Sequence, residues 1–452
     1  MKELISYNPA NGEIVGSVPI STVDDVEKAV IRAQAALAIW QNVPLETRAR
    51  LLQQAADRLA ENAATLGELL SREMGKPLAR GKGEVSHCSS WIHSKLDEML
   101  KAYRPEILQD ESTESTLYFD PFGVAAVISP WNYPMSMPQW MVIPSLMAGN
   151  SVILKPSEET PLIGQAYVDT LNEFLPKDVL QIVHGADEQG KALVNSNVQF
   201  IAFTGSRNAG KHILKSAADK LKRVVLELGG KDALIVLSDA DINAAASYAV
   251  GSGFENAGQM CVSVERIYCA EEIADEFENK VSELVSKITI GPWHDPEASM
   301  GPMINQRQRD HVINHINQAL GDGARAICGG KNHPDNFVTP TVLADVTDGM
   351  AIMQEETFGP VVAIARFTDV KDAIRRANDN PYALGGAVFG ADEENAWQVA
   401  RQLQAGMIGV NKSTFGATGT PWIGAKESGY GFHGSIEGQR QFAQRRVISK
   451  SR

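Results

Sequence analysis

Phe200-Ile201-Ala202-Phe203-Thr204-Gly205-Ser206, and after it Val224-Val225-Leu226-Glu227-Leu228-Gly229-Gly230-Lys231, decide the fold of this chain. Each begins as a short unbroken apolar run and ends in polar and glycine residues. A helical pattern from 209 to 220 lies between them. Short continuous apolar runs separated by amphipathic helices read as strands buried on both faces, the mark of a parallel sheet. The same reading holds upstream at 124–128, 152–154 and 180–183. The alternation predicts a doubly wound α/β sheet with a ligand at the carboxyl ends of its strands.

Working outward, a second α/β run has strands at 234–237, 266–269 and 360–367, with helices at 241–251, 272–288 and 306–320. A turn-rich segment, 412–434, closes it. Two amphipathic helices open the chain: one carries Val26, Ala29, Val30, Ala33 and Leu37, the other Leu51, Leu52, Ala55 and Leu59. The segment 109–118, rich in Ser, Thr and Glu, reads as an exposed hairpin that leaves the first domain and returns. No internal repeat is visible.

A chain of 452 residues buries a large core and divides into two or three domains. Its net charge of −13 comes from acids and bases interspersed along the chain, which argues against a nucleic-acid partner. The most apolar long stretch, 133–154, is broken by Pro134, Pro138, Pro144 and Gly149 and does not read as a membrane span. Cys88, Cys261, Cys269 and Cys328 lack disulfide-framework or metal-site spacing, so no metal is expected and a reduced, cytosolic setting is. No targeting signal is read at the N-terminus, where 7–13 reads as a turn.

The chemistry lies in six short words. Glu227 stands before Gly229-Gly230, and Cys261 follows thirty-four positions later in Gly258-Gln259-Met260-Cys261. A thiol and a separate carboxylate suit covalent catalysis on a carbonyl: sulfur attacks, and the carboxylate later activates the water that frees the acyl group. The site is then expected to favour the thiolate at neutral pH. Pro130-Trp131-Asn132-Tyr133-Pro134 follows a strand and offers the Asn132 amide to a developing oxyanion, or is a structural turn. Lys155-Pro156-Ser157-Glu158 ends the next strand and suits ribose hydroxyls, or is a solvated turn. Gly205-Ser206 opens a helix whose free amides suit a pyrophosphate. Gly205 to Lys211 also spells most of a phosphate loop, but His212 replaces the magnesium-binding hydroxyl. Glu356-Thr357-Phe358-Gly359-Pro360 sets a carboxylate and an aromatic ring before a strand.

Taken in chain order, the six words resemble the aldehyde dehydrogenase superfamily, from about Asn8 to about Arg446. The resemblance implies that Cys261 is the nucleophile, Glu227 the general base for deacylation, and Asn132 with the Cys261 backbone amide the oxyanion hole. It implies that Trp131, Lys155, Glu158, Gly205, Ser206, Leu228, Glu356 and Phe358 bind NAD, the preferred cofactor, with NADP also admitted. An aldehyde would be oxidised to the acid through a thiohemiacetal and a thioester. The implied fold is two doubly wound parallel-sheet α/β domains with a small β hairpin for oligomerisation. Residues 1–105 and 123–228 would form the cofactor domain, 229–430 the catalytic domain, and 106–122 with 431–452 the oligomerisation elements of a homodimer or homotetramer.

The chain also departs from its relatives. Members acting on succinate semialdehyde often carry an arginine eight positions after the asparagine of Pro-Trp-Asn and another six before the nucleophile. Here Trp140 and Glu255 stand there. An aromatic pocket with one acid favours a general, aromatic or amino-aldehyde, with succinate semialdehyde still open and Lys412 or Lys426 as candidate compensating cations. Gly431-Phe432-His433 replaces the usual Gly-Arg-Glu, and His433 reads as a surface or interface residue. A CoA-acylating relative and a non-catalytic protein of this fold are the alternatives. Glu227 speaks against the first, and intact Cys261, Glu227 and Asn132 against the second.

Overall fold

The computed structural model describes residues 2–330 and 334–452. Two sheets organise it. In the first the strand order is Gly429–Tyr430, Arg223–Glu227, Phe200–Thr204, Val124–Ile128, Ser151–Lys155, Leu180–Ile182. All neighbours are parallel except Gly429–Tyr430, which runs antiparallel to the edge strand with Gly429 opposite Glu227. The chain moves outward from Val124–Ile128 in one direction, then returns and moves out in the other. The order therefore switches between Val124–Ile128 and Phe200–Thr204, where a crevice opens at the strand ends.

The second sheet has the order Arg325–Cys328, Thr341–Ala344, Val361–Phe367, Val264–Ala270, Asp232–Val236, Gly385–Phe389, Met407–Val410, parallel except for its first pair. Val264–Ala270 and Gly385–Phe389 are buried throughout, the first with Glu265 and Arg266 inside it. A third, antiparallel sheet joins Glu106–Gln109, Thr113–Pro121 and Ala443–Ser451, with Ala443 opposite Pro121 and Ser451 opposite Thr113. The expected hairpin thus begins at Glu106, and the segment 109–118 holds its turn and most of its second strand. The turn read at 7–13 joins the hairpin strands Glu3–Tyr7 and Ile14–Pro19.

Local chemistry explains the helices that position the crevice. Thr22 caps Val23–Trp40 in a reciprocal box with Asp25. Ser206 caps Arg207–Ala218, its hydroxyl accepting from the Ala209 amide. The proline-broken stretch after Tyr133 contains a buried helix, Ser136–Met147. Pro138 lies in its first turn, where an amide has no helical partner to lose. Leu78–Tyr103, the longest helix described, packs across it. Among the described residues no helix is long and apolar enough to cross a membrane.

Candidate active site

A cavity of about 660 Å³ fills the crevice at the switch point. Trp131 and Asn132 line it from the end of one strand, Lys155 and Glu158 from the next, and Gly205 and Ser206 from a third. Leu228, Cys261, Glu356 and Phe358 complete it, so the six words are brought together in space. Lys155 is buried, and its Nζ lies 3.3 Å from a half-exposed Glu158 carboxylate. His212, which breaks the phosphate-loop pattern, also lines this cavity.

The loop that carries Cys261 is held by its backbone. Asn256, Ala257 and Gly258 take left-handed conformations in succession, with φ of 52°, 58° and 69°. Asn256 Nδ2 donates to the carbonyls of Asn132 (3.1 Å) and Gln259 (3.2 Å), and Asn132 Nδ2 donates to Gln259 O at 3.0 Å. The Asn132 amide is thereby pinned to the nucleophile's loop, with one of its two N–H groups still to place. Behind it, Lys76 Nζ donates to Glu84 (2.7 Å) and to Asn132 O (3.0 Å), while Glu84 accepts from the amides of Met135 and Ser136. This buried ion pair fixes the 130–136 turn, and neither partner was singled out from the sequence.

Glu227 ends its strand fully inside the protein. Neither carboxylate oxygen has a hydrogen-bond partner. Burial pushes its carboxyl well above the ordinary range, opposed by the neighbouring Trp422 indole. Such a carboxyl holds a proton more tightly than a solvated one, which makes its ionised form a stronger base. Cys261 is affected in the same sense. Burial pushes its thiol up, and the carboxylates of Asp232, Glu227 and Glu356 add to the shift. Burial thus works against the thiolate expected from the sequence, and the thiol must lose its proton before sulfur can attack.

The Glu356–Phe358 segment is clamped from below. Glu356 accepts the Gly230 amide at 2.9 Å, and burial, with Glu265 and Asp232 nearby, raises its carboxyl to about 8. Glu265, paired with buried Lys231, accepts from the amides of Thr357 (2.8 Å) and Phe358 (2.9 Å). Phe358 has a left-handed φ of 50° and meets Trp131 edge-on at 5.6 Å. Lys231 closes the glycine turn in sequence, but nothing along the chain signals its pairing with Glu265.

The other sequence readings fall elsewhere. Glu255 does not line the Cys261 cavity; it lines a second one and pairs with Arg80 at 3.1 Å. Trp140 is half-buried and packs against Trp422 (5.3 Å between ring centres) and His433 (5.1 Å). His433 is buried, not at the surface, because its main chain bridges Trp422 in both directions. Its Nε2 has no hydrogen-bond partner, and burial lowers its pKa to about 3. Lys426 donates to the carbonyls of Asn378 and Asn380, and Lys412 is exposed, so neither faces the cavity. The four cysteines are free, and no group of three or more ligating side chains is placed to hold a metal among the described residues.

A dinucleotide fits this lining. Carboxylates stand at two separated places, Glu158 and Glu356, with a capped helix N-terminus between them. A Cβ on Gly229 would come 2.3 Å from the Glu356 carboxylate, and one on Gly205 2.6 Å from the Phe203 ring, so both turns need bare backbone.

The chain belongs to the aldehyde dehydrogenase family, whose description matches residues 2–448. It is 35% identical to an NADP(+) succinate-semialdehyde dehydrogenase of Escherichia coli strain K12, over 97% of this chain and 92% of that one. It is 36% identical to the peroxisomal aminoaldehyde dehydrogenase 2 of Pisum sativum, over 95% and 89%. The crystal structure of betaine aldehyde dehydrogenase from Staphylococcus aureus in complex with NAD+ superposes with a TM-score of 0.95 at 32% identity, covering 98% of this chain and 91% of that one. The chain is an NAD(P)-dependent aldehyde dehydrogenase.

Proposed function

We propose that Cys261 carries the aldehyde through a covalent cycle that ends in hydrolysis. Sulfur, once its proton has passed to solvent, forms a bond to the carbonyl carbon, and the π electrons move to oxygen. The free N–H of Asn132 Nδ2 and the Cys261 backbone amide receive that oxyanion; losing one such donor typically costs about 100- to 1,000-fold in rate. As the oxygen re-forms its double bond, the carbon gives up its hydride and a thioester remains on Cys261. A nicotinamide held here would supply the acceptor for that hydride. Glu227 then takes a proton from water, the water oxygen bonds to the acyl carbon, and the C–S bond breaks to release the acid. Lys155 and Glu158 would hold the adenine ribose, Ser206 the pyrophosphate, and Glu356 the nicotinamide ribose, with Trp131, Gly205, Leu228 and Phe358 along the dinucleotide.

The observation that carries this reading is the pairing of Cys261 and Asn132 in the lining of a cavity suited to a dinucleotide, with the buried Glu227 carboxyl close enough to act on the Cys261 thiol. Intact-mass analysis after mixing with aldehyde and oxidised cofactor tests it. An acyl adduct on Cys261, absent from Cys261→Ala, is the expected result. Release of the free acid whether or not CoA is present separates hydrolysis from acyl transfer to CoA. Turnover surviving in Cys261→Ala would end the assignment.

NAD is the preferred cofactor on this reading, with NADP accepted. Residues 1–105 and 123–228 form the cofactor domain and 229–430 the catalytic domain. A cytosolic homodimer or homotetramer is built through 106–122 and 431–452, where Val447, Ile448, Ile107 and Leu108 are exposed on strands. Sedimentation of wild type against a chain ending at 442 tests that role.

A further inference from the structure

A second cavity, of about 530 Å³, backs onto the first. The two share the 130–136 turn: Trp131 and Asn132 line the first, Tyr133 and Ser136 the second. They also share the nucleophile's loop, with Cys261 on one side and Glu255 and Asn256 on the other. The Tyr133 hydroxyl reaches the sulfur of Met260, the residue before Cys261, at 3.8 Å. Cys261 itself lines the first cavity alone, so the tail of an aldehyde held there away from the dinucleotide would extend across the shared turn and loop toward the second.

Four charged residues line that space in two pairs. Lys76 and Glu84 are almost fully buried and committed to holding the turn. Arg80 and Glu255 are 3.1 Å apart and unequally placed: the arginine side chain is 63% exposed, the glutamate 27%. The acid is the inner member, six positions before Cys261 on the same loop. The base is the outer member, on a long side chain that solvent can carry away. A partly exposed pair of this kind adds little stability, so parting it is easy.

We propose that Glu255 selects the charge at the far end of the aldehyde, admitting an amine or quaternary ammonium and turning away a carboxylate, with Arg80 as its displaceable counter-ion. The proposal rests on the reading of Cys261 as nucleophile. A cationic tail takes over the glutamate's charge as Arg80 swings into water. A carboxylate tail must either lie beside Glu255 or draw Arg80 off and leave the inner acid unpaired. An uncharged tail leaves the pair as it is. Trp140 and Lys426, which the sequence brings forward for the same task, line neither cavity.

The test is kcat/KM at neutral pH for three straight-chain aldehydes: 4-trimethylammoniobutanal, butanal and 4-oxobutanoate. Each charged substrate is expressed as a ratio to butanal. Wild type is expected to favour the cation over the carboxylate by at least about tenfold. Glu255→Gln should lower the cation ratio about five- to tenfold and raise the carboxylate ratio, as loss of one partly exposed charge implies. Arg80→Gln should move both ratios the opposite way, and because Arg80 is at the surface it gives a reading independent of any folding defect at Glu255. Oxidation of butanal with ratios that Glu255→Gln leaves in place, or that both substitutions move in one direction, overturns the proposal while leaving the Cys261 mechanism standing. Failure to oxidise any of the three overturns that mechanism and the proposal with it.

Discussion

Gly258 lies against the carbonyl of Gly359 so closely that a Cβ on it would stand 2.0 Å from that oxygen. The contact locks the turn before Cys261 to the segment that carries Glu356 and Phe358. A shift of either segment would therefore press on the other.

Gly258→Ala should for that reason damage both. The left-handed φ of 69° adds backbone strain to the clash. A cost of about 2–4 kcal/mol in stability is expected, with kcat/KM down about 100-fold or more from misplacement of the thiol. A thermal melt and an oxidation assay on the same preparation check it. Wild-type kinetics would show that the two loops are not rigidly coupled.

Much of this arrangement is legible in sequence. The runs at 124–128, 152–154, 180–183, 200–203 and 224–226 match strands to within two residues at either end, because both-face burial leaves no polar alternation to mislead. Less legible was what fixes the site. Lys76–Glu84 and Lys231–Glu265 are buried pairs joined through space, and nothing along the chain distinguishes their members from surface charges. Strands Thr341–Ala344, Gly385–Phe389 and Met407–Val410 are short and glycine-bearing or sit among turns, so their periodicity is weak. His433 was misread because its burial comes from a two-residue backbone bridge to Trp422, a contact no pattern announces.

Glu73 provides a stability prediction away from the chemistry. It is buried at the end of helix Ala63–Met74, where it accepts the amides of Leu162 (2.9 Å) and Ile163 (2.7 Å). Burial nevertheless raises its carboxyl to about 7. A folded-state value above the unfolded one means that the native chain holds the proton longer. Its stabilising contribution is full below about pH 4.5 and is lost as pH rises through about 7, up to roughly 3 kcal/mol. Glu73→Gln should remove this dependence. Chemical denaturation of both proteins at pH 5 and pH 8 checks it: the mutant should gain on wild type at the higher pH, and a constant difference would refute the assignment.

Cofactor choice is predicted to turn on Glu158. Its carboxylate suits two ribose hydroxyls and repels a 2′-phosphate, while Lys155 at 3.3 Å softens that repulsion. NAD should be preferred by about tenfold or less, and Glu158→Ser should shift the ratio toward NADP by about as much. Measuring kcat/KM with both cofactors on wild type and mutant decides it. Wild-type preference for NADP, or a ratio unmoved by the substitution, would locate selection elsewhere.

Glu227→Gln should separate the two halves of the reaction. The amide keeps the side chain's size but cannot take a proton from water, so acylation of Cys261 proceeds and hydrolysis stalls. A pre-steady-state burst of reduced cofactor, close to one equivalent per active site, should precede turnover slowed about 100- to 10,000-fold. The pH profile gives a second reading. Burial holds the Glu227 carboxyl well above its ordinary range, so its basic form is scarce at low pH and grows as pH rises. Wild-type deacylation should therefore climb with pH and level off once Glu227 is ionised, whereas the mutant should lack that rise. Rapid-quench burst measurements across the pH range check both. Equal slowing of burst and steady state, or a mutant that keeps the wild-type pH rise, would assign the base to another residue.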